Sequence, residues 1–197
     1  MARQSLINKD QIIEVALTCF LKSGFEETTF QQIAKILKVS QPAIYTYFKN
    51  KMDLLATAAI RSAEKGRLFI ESKVNPKEPA AIRFRQYLKA NFDFFNESKK
   101  DAFSISAIYW LGQTNPTLMK IYQTMQAASH ERFEVLLLQI SYERGLKLRN
   151  SAHLAQLIQS CMIGELYKLV FEMRLSGPKN EKMFYDSIDT LIEANLH

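Results

Sequence analysis

A short segment near the start of the chain groups side chains that can contact the base edges of DNA. Gln41, Ala43, Thr46 and Tyr47 lie within seven residues, at positions that face outward if the segment is helical. Glutamine can form two hydrogen bonds to an adenine edge, a methyl group can meet thymine, and threonine can bond to base edges. These four residues are therefore our candidates for reading bases in a major groove, which admits one α-helix.

Cations flank this segment and are absent from it. Lys38, Lys49 and Lys51 lie on either side, and Arg3 lies in a polar N-terminal arm. We therefore expect affinity to come mainly from phosphate contacts by these cations, while sequence choice comes from the base-reading candidates. The arm has two interpretations that the sequence does not separate, a segment lying along the minor groove and a frayed terminus.

The surrounding residues have the spacing of a helix-turn-helix between Thr28 and Leu55. In the first helix, apolar residues recur every three or four positions, as on one buried face. In the second, predicted over 41–48, Ile44 and Phe48 form a narrow seam. The remaining side chains of that second helix are then left in solvent, and a DNA groove would cover them.

Polar side chains mark where these helices begin. Thr28 and Thr29 are each followed three residues later by glutamine, so both fit a capping box and two starts remain open. Ser40 is expected to cap the second helix through its hydroxyl, and Asn50 to cap the helix that follows. That following helix places Lys51 in its first turn, where a cation and free N–H groups can hold a phosphate.

Ten residues here follow the pattern of a known DNA-binding motif. They are Thr29, Ile33, Ala34, Val39, Ser40, Tyr45, Tyr47, Phe48, Lys51 and Leu54. This pattern resembles that of the tetracycline-repressor (TetR) family of bacterial regulators, and the resemblance implies that Thr29, Tyr45 and Lys51 position the DNA backbone. Lys38 departs from it, because the family usually has glycine in the turn. Lysine there must adopt a left-handed conformation, at about 1 kcal/mol, or bend the turn differently.

The resemblance covers roughly the first quarter of the chain and implies more than the motif. The fold it implies is all-α, with an N-terminal three-helix DNA-binding domain and a C-terminal helical domain for ligand binding and dimerisation. It also implies a homodimeric repressor on a palindromic operator of double-stranded DNA, released by a small hydrophobic or aromatic effector.

Composition agrees with a polyanion partner. The 197-residue chain is 47% hydrophobic and carries a net charge of +6, which is typical of a globular protein with a sizeable core. The first 51 residues hold seven Lys or Arg against four Asp or Glu, so three of the six excess charges lie in a quarter of the chain. This asymmetry favours a nucleic-acid partner.

Signatures of catalysis and of membrane insertion are missing from the sequence. The three histidines are scattered, there is no HExxH or GxSxG motif, and only six glycines occur, none in a phosphate loop. Cys19 and Cys161 lack metal-like spacing and are expected to be reduced thiols. No apolar run approaches membrane length, and charges interrupt the N-terminus. We expect a cytoplasmic protein with no enzymatic activity, cofactor or metal.

Helical spacing continues through the rest of the chain. Two prolines within VNPKEP at 74–79 predict the main break. We therefore predict a DNA-binding domain at 1–51, a connecting helix and linker at 52–76, and an effector-binding and dimerisation domain at 77–197. Further helices are predicted over about 8–24, 51–73, 78–96, 102–111, 116–145, 151–177 and 180–195.

The later helices have more apolar residues than one packed face requires. In the last two helices these suggest a dimer interface at Leu154, Ile158, Cys161, Leu166, Phe184, Ile188, Leu191 and Ile192, with internal core as the alternative. Aromatic residues and methionines suggest an effector pocket, and the alternative is a filled core. The pocket candidates are Tyr87, Phe92, Phe95, Phe103, Tyr109, Trp110, Tyr122, Met125 and Met162.

The sequence therefore predicts a DNA-binding transcriptional regulator of helix-turn-helix type. Two other functions stay open. One is a regulator that needs no ligand. The other, from a different class, is a helical protein that binds lipids, small molecules or other proteins and does not bind DNA.

Overall fold

The computed structural model describes residues 7–171 and 178–197, which form nine α-helices. They are α1 (Lys9–Ser23), α2 (Phe30–Leu37), α3 (Gln41–Tyr45), α4 (Lys51–Lys73), α5 (Ala80–Glu97), α6 (Lys99–Gly112), α7 (Pro116–Arg144), α8 (Ser151–Phe171) and α9 (Pro178–Asn195). The predicted all-α class is confirmed. The one extended pairing within these ranges is an isolated bridge between Leu148 and Leu196. No helix in the same ranges combines the length and apolar character needed to cross a bilayer.

Local capping determines where the first two helices begin. Asn8 and Gln11 form a reciprocal capping box at α1, which begins at Lys9, close to the predicted start at about residue 8. Thr29 and Gln32 form the box at α2, which decides between the two starts that the sequence left open. Each box satisfies N–H groups that have no partner within the helix, so both helices start at a defined residue.

Other helix ends differ from the prediction. The side chain of Ser40 makes no capping hydrogen bond, and α3 ends at Tyr45, three residues early. α8 does begin where it was predicted to, at Ser151, and Asn150 before it accepts from the backbone N–H three residues later at 3.3 Å. The end predicted for this helix, at Gly177, lies outside the described residues.

The chain divides into two units. One contains residues up to 63 together with 100–121, and the other contains 64–99 and 122–197. This division differs from the limits predicted at 51 and 76, because α6 belongs with the helix-turn-helix. Within the first unit, a buried polar cluster joins α4 to α6. The hydroxyl of Ser62 in α4 donates to the Asp101 carboxylate of α6 at 2.5 Å, and Ser104 donates to Ser62 at 2.9 Å.

Ion pairs hold the helices of the first unit together. The Arg61 guanidinium of α4 contacts Asp10 at 3.2 Å and Glu14 at 3.3 Å, both on α1. Lys100 of α6 reaches Glu14 at 3.4 Å. Because these charges are partly exposed, each pair contributes little free energy, but together they fix which helix faces meet.

The core of the second unit forms around α7. Phe84 and Tyr87 of α5 meet the buried Phe133 edge-on, with ring centroids 5.7 and 5.1 Å apart. Aromatic pairs in this geometry add to the free energy of burial. Tyr185 of α9 also packs here, and burial, with two nearby carboxylates, raises its pKa to about 12. Its side chain is therefore neutral throughout the physiological range.

Candidate nucleic-acid interface

The helix-turn-helix consists of α2, the turn at 38–40 and α3. Its inner face is apolar, since Ile33, Ala34, Ile44 and Phe48 are all buried. With five residues, α3 is too short to be stable by itself. Its position must therefore be set by these buried contacts and by the segments on either side.

Two of the four base-reading candidates are fully available to solvent. Gln41 and Thr46 are exposed, and Ala43 is half-buried. The Thr46 hydroxyl donates to the Ala43 carbonyl at 2.8 Å, which leaves its oxygen free to accept from a base. The side chain of Gln41 makes no hydrogen bond to a described residue, so both its donor and its acceptor are available.

Tyr47, the fourth candidate, is used within the chain. It is half-buried, and its hydroxyl donates to the carbonyl of Ile7 at 2.6 Å. A phenol has one proton to donate, so in this arrangement it has none for a base or a phosphate. The structure therefore gives Tyr47 a contact that its outward position in the sequence pattern did not predict.

Tyr45 and Thr29 lie on the outer side of the motif. Tyr45 is 53% exposed and rests edge-on against Phe30, with centroids 5.1 Å apart. This contact orients the ring and leaves its hydroxyl in solvent. Thr29 is exposed, and its hydroxyl accepts from the backbone N–H of Gln32 at 3.2 Å as the cap of α2. Its hydroxyl proton stays free to donate to a phosphate.

Lys38 occupies the turn in a left-handed conformation. Its φ and ψ are 56° and 41°, and its backbone N–H donates to the carbonyls of Ala34 and Lys35. Val39 also donates to Ala34, at 3.0 Å, which completes the C-terminal cap of α2. Of the two possibilities that the sequence left, the chain adopts the strained backbone and keeps the glycine-type turn. The exposed lysine side chain forms no ion pair with described residues.

The remaining cations differ from one another. Lys49 is exposed and, among the residues described, has no partner for its ammonium. Lys51 is half-buried, and its ammonium donates to the carbonyls of Phe25 at 2.7 Å and Glu26 at 2.8 Å. It also lies 4.8 Å from the centre of the Phe25 ring. Arg3 lies outside the described residues.

This surface combines exposed hydrogen-bonding groups with cations. In the part of the chain that the structure describes, no three His, Cys, Asp or Glu side chains are grouped so that they could hold a metal ion. The predicted cap of α4 is present, since Asn50 accepts from the N–H of Asp53 at 2.9 Å. What the arrangement can do is place amide, hydroxyl and ammonium groups against an anionic duplex.

Comparison with known proteins identifies the motif. A family model described as "Bacterial regulatory proteins, tetR family" matches residues 12–58, which run from α1 into α4. Residues 12–58 of this chain therefore carry the DNA-binding motif of the TetR family. The resemblance of the ten motif residues is thereby confirmed.

Relatives by sequence carry the same kind of description. "Uncharacterized HTH-type transcriptional regulator YerO" of Bacillus subtilis (strain 168) is 24% identical over 191 residues, covering 94% of this chain and 65% of that protein. "Tetracycline repressor protein class E" of Escherichia coli is 33% identical over 98 residues, or 47% of this chain and 45% of that protein. The chain thus spans less than two thirds of the length of these relatives.

Solved structures share the whole fold. A TetR transcription regulator from Haloarcula marismortui ATCC 43049 superposes with a TM-score of 0.79 at 14% identity, covering 96% of this chain and 98% of that one. A regulator described as putative, from Saccharomonospora viridis in complex with choline, gives 0.77 at 15% identity, covering 95% and 96%. At such identity the likeness concerns the fold: a helix-turn-helix domain followed by a helical domain.

The effector-pocket candidates lie in two different units of the structure. Phe103, Tyr109 and Trp110 belong to the first unit, where Trp110 is 56% exposed. Tyr87, Phe92 and Met162 are buried in the core of the second unit. For these three residues, the burial agrees with the alternative of a filled core. The other three, Phe95, Tyr122 and Met125, are half-buried in the second unit.

A small cleft in the second unit has a different lining. Its volume is about 180 Å³, and Arg85 and Arg144 border it together with apolar side chains of α5, α7 and α9. Arg85 pairs with Asp189, and Arg144 pairs with Glu193 at 2.5 Å. None of the nine pocket candidates lines this cleft.

Most of the dimer-interface candidates are core residues. Leu154, Ile158, Leu166, Ile188 and Ile192 are at most 5% exposed. Such side chains have almost no surface left to bury against a second copy, so for these five the burial agrees with the alternative of internal core. Phe184 and Leu191 pack partly against the same core, and Cys161 is exposed. The outward face of α8 instead contains His153, Leu157, Cys161 and Gly164.

The sequence pattern alone does not identify this face, because α8 is apolar on several sides. Leu157 is 40% exposed although its neighbour Ile158 is fully buried. A Cβ built on Gly164 meets nothing within 4 Å. Exposed positions 153, 157, 161 and 164 recur at helical spacing, but so do the buried positions 154, 158 and 162. Only the packed structure shows which stripe is inside.

Replacing Lys38 by glycine tests the strain in the turn. Lys38→Gly should raise the free energy of unfolding by about 1 kcal/mol, because glycine adopts positive φ without a Cβ clash. Urea unfolding followed by circular dichroism measures this change. Lys35→Gly, three residues earlier within α2, is the control and should lower stability by about 1 kcal/mol. A loss of stability at both positions would show that residue 38 is unstrained.

Proposed function

We propose that this TetR-family protein is a DNA-binding transcriptional regulator, a homodimeric repressor that binds a palindromic operator and is released by a small hydrophobic effector. The observation that carries the proposal is the surface of the helix-turn-helix. Gln41 and Thr46 are exposed there beside Lys38 and Lys49, whose ammonium groups have no partner among the described residues. The target implies action in the bacterial cytoplasm, and the proposal includes no catalysis.

The proposed contacts divide into base reading and phosphate binding. Gln41 can pair bidentately with adenine, which contributes about 1–3 kcal/mol of discrimination against a wrong base. Ala43 can meet a thymine methyl group, and Thr46 can accept from a base edge. Lys38 and Lys49, with Thr29 and Tyr45, would hold phosphates and fix the register. A two-fold dimer would place two such surfaces on half-sites one helical turn apart.

Selection from random duplex DNA, followed by titration of the selected duplex, tests DNA binding. Gln41→Ala should weaken binding about tenfold and relax the preference at one base position per half-site, because a bidentate pair is lost. Lys49→Met should lower the slope of log K against log salt by about 0.9 for each phosphate released. Fluorescence anisotropy over a salt series measures both.

The matched control for this experiment is Gln123→Ala. Gln123 is an exposed glutamine of α7 in the second unit, so this variant loses the same amide without touching the motif. It should bind the selected duplex as the wild type does. Wild-type protein that selects no sequence and ignores every duplex at low salt would instead favour the helical binding protein without DNA activity.

The homodimer is proposed to form through the outward face of α8. Leu157 and Gly164 leave apolar surface and open space there. Leu157→Glu should convert the dimer into monomers, because it would bury an unpaired carboxylate. Sedimentation velocity measures the change. Ile82→Glu, at a residue of α5 that is 45% exposed, is the control and should leave the protein dimeric. A wild type that sediments as a monomer at micromolar concentration would contradict the assembly.

Release by an effector is the third part of the proposal. The choline-bound structure shows that one regulator of this fold holds a quaternary ammonium compound. Thermal-shift screening should include choline and a series of aromatic and aliphatic compounds. A compound that raises the melting temperature should weaken duplex binding about 5- to 150-fold, the range of typical allosteric coupling. A compound that binds and leaves duplex affinity unchanged would instead support a ligand-independent regulator.

A further inference from the structure

The segment from Tyr47 to Lys51 contacts both ends of α1. The Tyr47 hydroxyl donates to Ile7, the residue before the Asn8 cap, at 2.6 Å. The Lys51 ammonium donates to Phe25 and Glu26, just beyond the C-terminal end of α1, at 2.7 and 2.8 Å. We call this arrangement the α1 clasp. It joins the end of the recognition helix to the scaffold at two separate places.

The lengths of the parts agree with this arrangement. A helix of 15 residues is about 22 Å long. Four residues of extended chain cover at most about 14 Å, and the two long side chains at its ends supply the remainder. Further contact at the N-terminal side comes from Lys9, whose ammonium lies 5.4 Å from the centre of the Phe48 ring. Both ends of α1 are therefore held by side chains that follow α3.

The chemistry of these groups limits what else they can do. Tyr47 has a single proton, which goes to Ile7. Lys51 has three, of which two go to backbone carbonyls, and its charge also faces the Phe25 ring. Both side chains are half-buried. Tyr47 would have to break its bond to Ile7 before it could donate to DNA, and Lys51 has one remaining proton on an ammonium held in place by two carbonyls.

The recognition helix depends on such outside support. It has five residues, its Ser40 cap makes no side-chain hydrogen bond, and Ile44 is its one buried residue. Contacts within α3 therefore cannot fix the direction in which Gln41 and Thr46 point. The clasp lies where the chain leaves α3 and connects that point to both ends of α1.

We propose that Tyr47 and Lys51 are positioning residues that aim the recognition helix, and that neither is a DNA contact. This inference rests on the proposed DNA-binding function and reassigns two residues within it. Base reading then falls to Gln41, Ala43 and Thr46, and phosphate binding falls to the exposed cations. A clasp residue and a phosphate contact respond differently to salt, and this difference makes the proposal testable.

The experiment compares Tyr47→Phe, Lys51→Met and Lys51→Arg with Lys49→Met. Tyr47→Phe keeps the ring, Lys51→Met keeps the stem, and Lys51→Arg keeps donors for the two carbonyls. Affinities for the selected duplex and for a scrambled duplex are measured across a salt series, well below each melting temperature. Hydrogen exchange of the free proteins reports whether the ends of α1 have loosened.

The clasp predicts a loss of specificity at constant salt slope. Tyr47→Phe and Lys51→Met should lower the ratio of selected to scrambled affinity about tenfold, and Lys51→Arg should recover most of it. For Lys51→Met, the slope of log K against log salt should equal that of the wild type. Lys49→Met should lower this slope by about 0.9 for each phosphate contact that is lost. In the free Tyr47→Phe variant, amide hydrogen exchange should become faster at residues 8–11. In the free Lys51→Met variant, it should become faster at residues 26–30.

Several results would overturn the positioning role. One is a Lys51→Met slope that falls as it does in Lys49→Met, which would make Lys51 a phosphate contact. Another is an unchanged specificity ratio in Tyr47→Phe, a variant that retains every buried ring. Unchanged exchange at both ends of α1 would also exclude the clasp. Wild-type protein that selects no duplex would remove the DNA-binding function itself, and the positioning role with it.

Discussion

A helix of five residues cannot hold its own position, and the first unit is organised around this constraint. Isolated helices shorter than about 12 residues are marginal in water, so α3 exists because tertiary packing holds it. Ile44 and Phe48 fix it from the inside, and Leu54 and Leu55 continue the same buried surface into α4. The short helix is useful for the same reason that it is unstable. Few of its side chains are needed for the core, so most are left for a partner.

Polar groups in the first unit accordingly serve two purposes. Thr28 is fully buried and donates to the Gly24 carbonyl at 2.8 Å, and the hydroxyl of Tyr47 and the ammonium of Lys51 are likewise bonded to backbone carbonyls. These bonds satisfy carbonyls in the connections before α1 and between α1 and α2, where no helix supplies a donor. The side chains of Lys38, Lys49 and Gln41 make no such bond to the described residues. The functional surface is thus what remains after the scaffold has taken its hydrogen bonds.

Sequence reasoning succeeded where the determining contact is local. The capping box at Thr29, one of the two starts predicted for α2, joins residues three apart, and the start and end predicted for α4 agree with the structure. It failed where the contact is distant in sequence. Tyr47 and Ile7 are 40 residues apart, and Lys51 and Phe25 are 26 apart, so no spacing rule brings them together. For α8 the pattern contained two apolar stripes, and the choice between them depends on α5 and α9.

The buried cluster of Ser62, Asp101 and Ser104 is another contact between residues distant in sequence, and it affects how the chain divides into units. The prolines at 76 and 79 do end α4, but a break in a helix does not have to be a boundary between packed units. A carboxylate buried at 6% exposure needs hydrogen-bond donors, and Ser62 supplies one from α4. That requirement binds α6 to the unit that contains the helix-turn-helix. α4 and α7 each contribute residues to both units, so neither helix end coincides with a limit between them.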